Sequence, residues 1–464
     1  MWHMWQGKIK RLAVGIAAII GIMAVVPAFS AEPALAAAAV PEIIGEAGIL
    51  IDGRTGQVLY TKNERAQLEP ASTTKMITCL LALENLELDH VMTIDDETPF
   101  TEGSRIYLLE GERITVEDVL YALMLESAND AAVALAKEIA GNTEDFAVMM
   151  NKRARELGAT DTNFLNPNGL HLDGHVSTVY DLAMIAKGCM ENEMFRTLCG
   201  TYYHYIPATN RQEERHMYST NRLLYDEKTK IPVNGAAIPA KYEGAVGIKT
   251  GYTSHAGGCL VAGAERNGTF LIAAVMKSTD LGRFGDCVAM LDYGFASYHT
   301  VQAADAAADL GKAQVRRGAV REVGIHLKDN AYATLPIEAS GAVLRTELKL
   351  PEKLEAPIEK NQEVGTLEVY EGSNLVSTVS VLANQEVGEG TLLSAMGIEN
   401  KTAYVIYTVL GILLFLIVSA VVSCTVLKRK KAKQRKARRE LRALEIAKAR
   451  SEREKDLAKR DWYF

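Results

Sequence analysis

Ser72 and Lys75 stand three positions apart at the head of "EPASTTKMITCLLALENLEL", an apolar, helix-patterned stretch from Glu69 to Leu88. Residues three apart on a helix share a face, so the Lys75 amine is expected against the Ser72 hydroxyl. A serine hydroxyl is a weak nucleophile at neutral pH and needs a neighbouring base to attack a carbonyl. An amine serves as that base once its pKa falls from about 10.4 towards 7 or 8, a shift that costs about 4 kcal/mol. Burial and a second nearby cation can supply it. Taken alone, the pair reads equally as a helix cap followed by a solvated lysine.

Two further polar signals follow in order, Ser127-Ala128-Asn129 and Lys249-Thr250-Gly251. Lys249 is the natural second cation and also suits a carboxylate at the end of a peptide. Thr250 adds a hydroxyl donor, and Gly251 removes a side chain that would keep a substrate backbone from lying along the strand edge. Ser127 can relay a proton to a leaving amine, Asn129 can hold a substrate amide, and the helix start at Ser72 offers a backbone N–H to a developing oxyanion. No histidine is required, so His175 and His255 need not be members of a triad.

The elements that must position these groups are legible as periodicity. "AGILIDGRTGQVLYTKN" alternates around an Asp52-Gly53 and Thr55-Gly56 turn, a hairpin pattern. "ITVEDVLYALMLESANDAAVALAKEIAG" carries a cap at Thr115 with Asp118 three later and a stop at Gly141, so Ser127 falls between two helical halves. Further helices are expected over residues 143–158 and from Ser177. After Ile231, "GAVGIKTGYT" and "GGCLVAGAERNGTFLIAAVMKST", with its Asn267-Gly268 turn, read as antiparallel strands, and "GDCVAMLDYGFASY" as a helix packed on them. Early and late strands flanking a helical insert predict an α/β (α+β) fold around one sheet.

The chain of 464 residues, 48% hydrophobic and 23% charged, is long enough for more than one core. The expected divisions are a signal peptide at 1–36, a catalytic domain at 43–299, a small β domain at 300–385, a linker at 386–401, a membrane span at 402–427 and a basic tail at 428–464. The first follows from Lys8, Lys10 and Arg11 ahead of an apolar run ending in small residues, with cleavage after Ser30 or Ala36. The span follows from the charge-free stretch Thr402 to Leu427, long enough for a hydrocarbon layer that needs about 20 apolar residues. Lys428–Lys431 directly after it place the tail in the cytoplasm and everything before Thr402 outside.

The net charge of −7 hides an excess of about ten positive charges in that tail, which suits anionic lipid head groups. Nucleic acid is a poor reading, since no aromatic-interleaved basic patch occurs elsewhere. Five scattered cysteines outside the span argue against a disulfide framework. No CxxC or HExxH cluster occurs, so neither a metal nor another cofactor is expected.

The three polar signals in this order are a recognised signature of class A β-lactamases and penicillin-binding proteins. With "MLESANDAA", "NFLNPNGLHLDGHVSTVYDLAMIA" and "GRFGDCVAMLDYGF" around them, Ala47 to Ser297 resembles the low-molecular-weight penicillin-binding proteins, the serine-type D-alanyl-D-alanine carboxypeptidases in particular. The resemblance implies an acyl-enzyme on Ser72, Lys75 as proton acceptor, Ser127 as a third active-site residue and Lys249 as carboxylate binder. It further implies an oxyanion hole from the N–H groups of Ser72 and Tyr252. The substrate implied is peptidoglycan pentapeptide ending in D-Ala-D-Ala, with β-lactams as covalent inhibitors. Ser-Ala-Asn in the second motif, where the lactamase form has Asp in the middle, favours the peptidase. The competing readings are a β-lactamase and a catalytically idle, membrane-anchored wall-binding protein. The full span and basic tail depart from the amphipathic helix with which family members often end.

Overall fold

The structure, a computed structural model, describes residues 39–339, 341–396 and 398–460. The expected signal peptide lies outside the described residues. The chain forms two compact units: one ends at Thr300 and takes back a short segment from Thr334, and the other holds Val301–Ala333 and the chain from Gly341.

The first unit is built on a five-stranded antiparallel sheet in the order Val58–Lys62, Ala47–Asp52, Thr269–Ser278, Gly257–Arg266, Ala245–Thr253. Asp52 Oδ1 closes the first hairpin by accepting from the N–H groups of Arg54 and Thr55 at 2.9 and 2.7 Å. Asn267 and Gly268, both at positive φ, make the tight turn into Thr269–Ser278. That strand is apolar from Phe270 to Met276 because both its faces are covered there. Leu271, Ala273 and Val275 pack with Phe284, Val288 and Leu291 of the helix Gly282–Ser297. Ile272, Ala274 and Met276 face a helical layer that includes Met76, Leu120, Phe146 and Ile185.

The helix Lys75–Asn85 runs through this layer with its first eight residues buried. Each large apolar side chain removed from water there contributes about 2 kcal/mol. Its neighbours Val116–Leu125, Thr143–Glu156 and Val179–Cys189 begin at side-chain caps: Thr115, Asn142 and Thr178 accept from the N–H of Asp118, Asp145 and Asp181. Gly141, at φ +81°, ends Asn129–Ala140.

The expected helix at Ser72 begins differently. A 3-10 turn, Ala71–Thr74, precedes the α-helix, and Ala71 before the serine sits at φ +46°. Three two-stranded ribbons lie outside the sequence expectation: Val91–Thr93 with Arg113–Thr115, Tyr203–Ile206 with Arg215–Tyr218, and Lys230–Val233 with Ala236–Pro239. The mixed α and β architecture around an antiparallel sheet is the one expected.

The second unit holds a six-stranded sheet ordered Leu344–Lys349, Glu363–Glu371, Asn374–Ala383, Glu322–Leu327, Lys312–Arg316, Leu354–Glu355. Val323, Ile325, Leu367, Val369 and Val381 form its core. The unit ends in one helix, Asn400–Arg460, whose apolar part is long enough to cross a membrane. Asn400 fastens the start of that helix, its N–H donating to Ala319 O at 3.1 Å and its Oδ1 accepting from Thr391 N at 2.9 Å. All six cysteines are free thiols.

Candidate active site

Ser72 is held at a strained corner. Ala71 adopts the left-handed region, sparsely used by residues other than glycine, which points from an observed outlier to function. The corner is backed by the loop that follows residue 163: a Cβ built on Gly169 would lie 1.9 Å from Ala71 O. The loop is tied down locally, Asn166 Oδ1 accepting from Gly169 N at 2.7 Å and Thr78 Oγ1 donating to Pro167 O at 2.6 Å.

Lys75 is fully buried. Its Nζ lies 2.8 Å from Ser72 Oγ, 2.6 Å from Asn129 Oδ1 and 2.6 Å from Asn168 O. Burial first, and then the charge of Lys249, hold its pKa well below the ordinary lysine range, while Asp130 pulls the other way. A neutral amine has two protons and one lone pair. Asn168 O can only accept, and the Asn129 amide is oriented by donation from Nδ2 to Glu102 O at 2.7 Å, which turns Oδ1 to the amine. Both protons therefore have acceptors, and the lone pair is left for the Ser72 hydroxyl. That is the geometry of a base poised on a nucleophile.

Ser127 is buried two residues before Asn129 on the turn into the helix Asn129–Ala140, at φ +57°. Lys249, Thr250 and Gly251 lie on the edge strand Ala245–Thr253, with Tyr252 60% exposed beyond them. Lys249 is 1% exposed, and its pKa is lowered to about 7, by burial and then by Arg283. A bound carboxylate would favour the charged form again. Thr250 Oγ1 is 2.7 Å from Thr220 Oγ1. For Gly251 the structure corrects the reason expected: a Cβ there would lie 3.1 Å from Pro70 O, Ser72 N and Thr73 N, so the missing side chain lets the strand approach the serine turn itself.

Asn168 and Arg283 escaped the sequence reading, which weighed His175 only as a triad member. Asn168 acts through a backbone carbonyl, which has no side-chain signature. Arg283, on the helix Gly282–Ser297, donates from Nη1 to Gly251 O at 2.7 Å and adds positive charge behind the strand; a lone arginine in an apolar helix gave no signal. His175 is buried, accepts from Leu165 N at Nδ1 (3.0 Å) and therefore donates from Nε2 to Thr74 Oγ1 (3.0 Å). Burial and the nearby Lys75 lower its pKa to about 4, so it is a neutral strut under the serine turn.

Among the described residues no group of three or more His, Cys, Asp or Glu side chains is arranged to hold a metal ion. A separate acidic concavity of about 540 Å³ is lined by Asp95, Glu97, Lys137, Glu138 and Glu144. Lys137 there is bound to Asp95 at 2.6 Å and to Glu97 at 2.5 Å.

A buried lysine on a serine, beside a cationic strand edge in this α+β fold, defines an active-serine hydrolase of the penicillin-binding class. Residues 34–280 match the family described as D-alanyl-D-alanine carboxypeptidase, and residues 297–389 match the penicillin-binding protein 5 C-terminal domain. The chain belongs to the D-alanyl-D-alanine carboxypeptidase family. It is 33% identical over 377 residues to the D-alanyl-D-alanine carboxypeptidase DacF of Bacillus subtilis (strain 168), covering 80% of this chain and 93% of that one. With a D-alanyl-D-alanine carboxypeptidase of Streptomyces sp. (strain K15) it shares 32% identity over 299 residues, 62% of this chain and 99% of the other. The crystal structure of penicillin binding protein 5 from Haemophilus influenzae superposes with a TM-score of 0.58 at 25% identity, over 76% of this chain and all of that one.

Proposed function

We propose that this chain removes the terminal D-alanine from peptidoglycan pentapeptides at the outer face of the cell membrane, through an acyl-enzyme on Ser72, and that β-lactams acylate the same oxygen. The observation that carries this reading is the Lys75 amine, with its lone pair left for Ser72 Oγ. As Oγ attacks the carbonyl of the penultimate D-alanine, Lys75 takes its proton. The oxyanion is held by the backbone N–H groups of Ser72 and Tyr252. The C–N bond then breaks, and D-alanine leaves with a proton relayed through Ser127. Water, deprotonated in turn by Lys75, hydrolyses the ester and restores Ser72. Lys249 and Thr250 hold the terminal carboxylate, and Asn129, with one amide N–H still uncommitted, holds a substrate amide.

The helix Asn400–Arg460 supports anchoring. Its charge-free stretch Thr402–Leu427 rises about 39 Å at 1.5 Å per residue, enough for a hydrocarbon core of about 30 Å. Lys428–Lys431 follow at once and support a tail on the inner side, against anionic lipid.

Labelling with a fluorescent penicillin tests the base. Full-length Lys75→Ala in detergent is expected to take up no label over the time in which the native chain is fully acylated; stoichiometric labelling would overturn the assignment.

A further inference from the structure

The ribbon Tyr203–Ile206 with Arg215–Tyr218 pairs Tyr203 with Tyr218 and Tyr205 with His216. Side chains alternate across a strand, so these four rings share one face. The opposite face is used within the chain: Ile206 and Met217 are buried, and His204 stacks on Tyr121 at 3.7 Å. On the ring face Tyr203, Tyr205 and Tyr218 are 43, 42 and 48% exposed. Neighbouring rings touch, with centroids 5.6 Å apart for Tyr205 and His216, 5.9 Å for His216 and Tyr203, and 5.2 Å for Tyr203 and Tyr218. Tyr202 continues the row, 5.8 Å from Tyr218 and 4.4 Å from Tyr225.

The ring planes are held in place. Tyr203 OH lies 2.7 Å from His216 Nδ1, and Tyr205 OH donates to Glu214 at 2.8 Å. The row also leads to the site already described: two residues past Tyr218, Thr220 Oγ1 is 2.7 Å from Thr250 Oγ1. From there the strands run about 13 Å at about 3.3 Å per residue. A contiguous exposed aromatic patch rimmed by polar groups marks a binding surface. Fixed rings with hydroxyls at their edges match a sugar, whose ring has an apolar C–H face and a polar rim.

We propose that this row of rings is a glycan-binding track, holding the amino-sugar strand that carries the stem peptide entering the Ser72 site. The proposal rests on the reading of the substrate as peptidoglycan, and its test separates the two. Full-length Ser72→Ala protein in detergent is titrated with peptide-free glycan strands by calorimetry. Binding is expected, and is expected to weaken at least tenfold in Tyr203→Ala/Tyr205→Ala and by less in Tyr203→Phe/Tyr205→Phe, which keeps the stacking faces and loses the hydroxyls. With Ser72 intact, the alanine pair is expected to raise KM for glycan-linked pentapeptide about tenfold and to change KM for free pentapeptide less than twofold.

Strands that bind the native and alanine chains alike, or equal losses on free and linked peptide, overturn the track. Quenching of a fluorophore on Tyr203→Cys by lipid-borne nitroxide in proteoliposomes would assign the face to the bilayer and overturn it too. Glycan binding without any release of D-alanine from free peptide would leave the track standing and remove the carboxypeptidase reading.

Discussion

Asn129 Oδ1 lies 2.6 Å from Lys75 Nζ, and the same amide donates from Nδ2 to Glu102 O at 2.7 Å. The side chain thus directs one Lys75 proton away from Ser72 without adding charge. Asn129→Asp keeps the shape and places a carboxylate on the amine, which favours its charged form and raises its pKa. At neutral pH acylation is expected to slow about tenfold or more and to recover partly as pH rises. Unchanged acylation at neutral pH would remove Asn129 from control of the base.

The two buried lysines set opposite limbs of a pH profile. In the proposed mechanism Lys75 works as the neutral amine, so kcat/KM is expected to rise with pH as it loses its proton, earlier than an ordinary lysine would because its pKa is depressed. In the proposed mechanism Lys249 binds the carboxylate as the cation, and with its pKa lowered to about 7 by burial and Arg283, binding is expected to weaken as pH rises through that region. Steady-state kinetics on a peptide ending in D-Ala-D-Ala are expected to give a bell-shaped kcat/KM, with the alkaline fall appearing in KM. A flat KM into the alkaline range would contradict the role given to Lys249.

Gly169 is the tightest contact behind the nucleophile. Its φ of +85° and the 1.9 Å from a built Cβ to Ala71 O leave no room for alanine. Gly169→Ala is expected to cost about 2 to 4 kcal/mol of stability, read by thermal unfolding, and to slow penicillin labelling by displacing the Ser72 turn and Asn168 O. A variant with native melting and labelling would show that the loop does not brace the serine.

For the tail, protease added outside intact cells is expected to leave the segment after Lys428 uncut, as the positive-inside bias predicts for the basic block Lys428–Lys431. Its digestion from outside would reverse the topology.

What the sequence revealed follows from how local each signal is. Ser72 and Lys75 meet because they stand three positions apart on one chain turn, and the Thr115 cap and the Asn267-Gly268 turn depend on neighbours alone. The grip on Lys75 depends on a backbone carbonyl 93 positions away and the charge behind Lys249 on Arg283, and neither has a periodic pattern to betray it. The tyrosine ribbon was missed because four-residue strands with rings on both faces show no alternation of apolar and polar residues. Gly251 was identified as a residue that must be small, but the atoms it makes room for are in the chain itself.

The most direct measurement is release of D-alanine from a short peptide ending in D-Ala-D-Ala by the full-length chain in detergent, with Ser72→Ala as control and intact mass read during turnover. Release that disappears in the control, with a transient mass increase equal to the acyl group, is the predicted result. A folded native chain that releases no D-alanine, or a Ser72→Ala chain that still does, would contradict it.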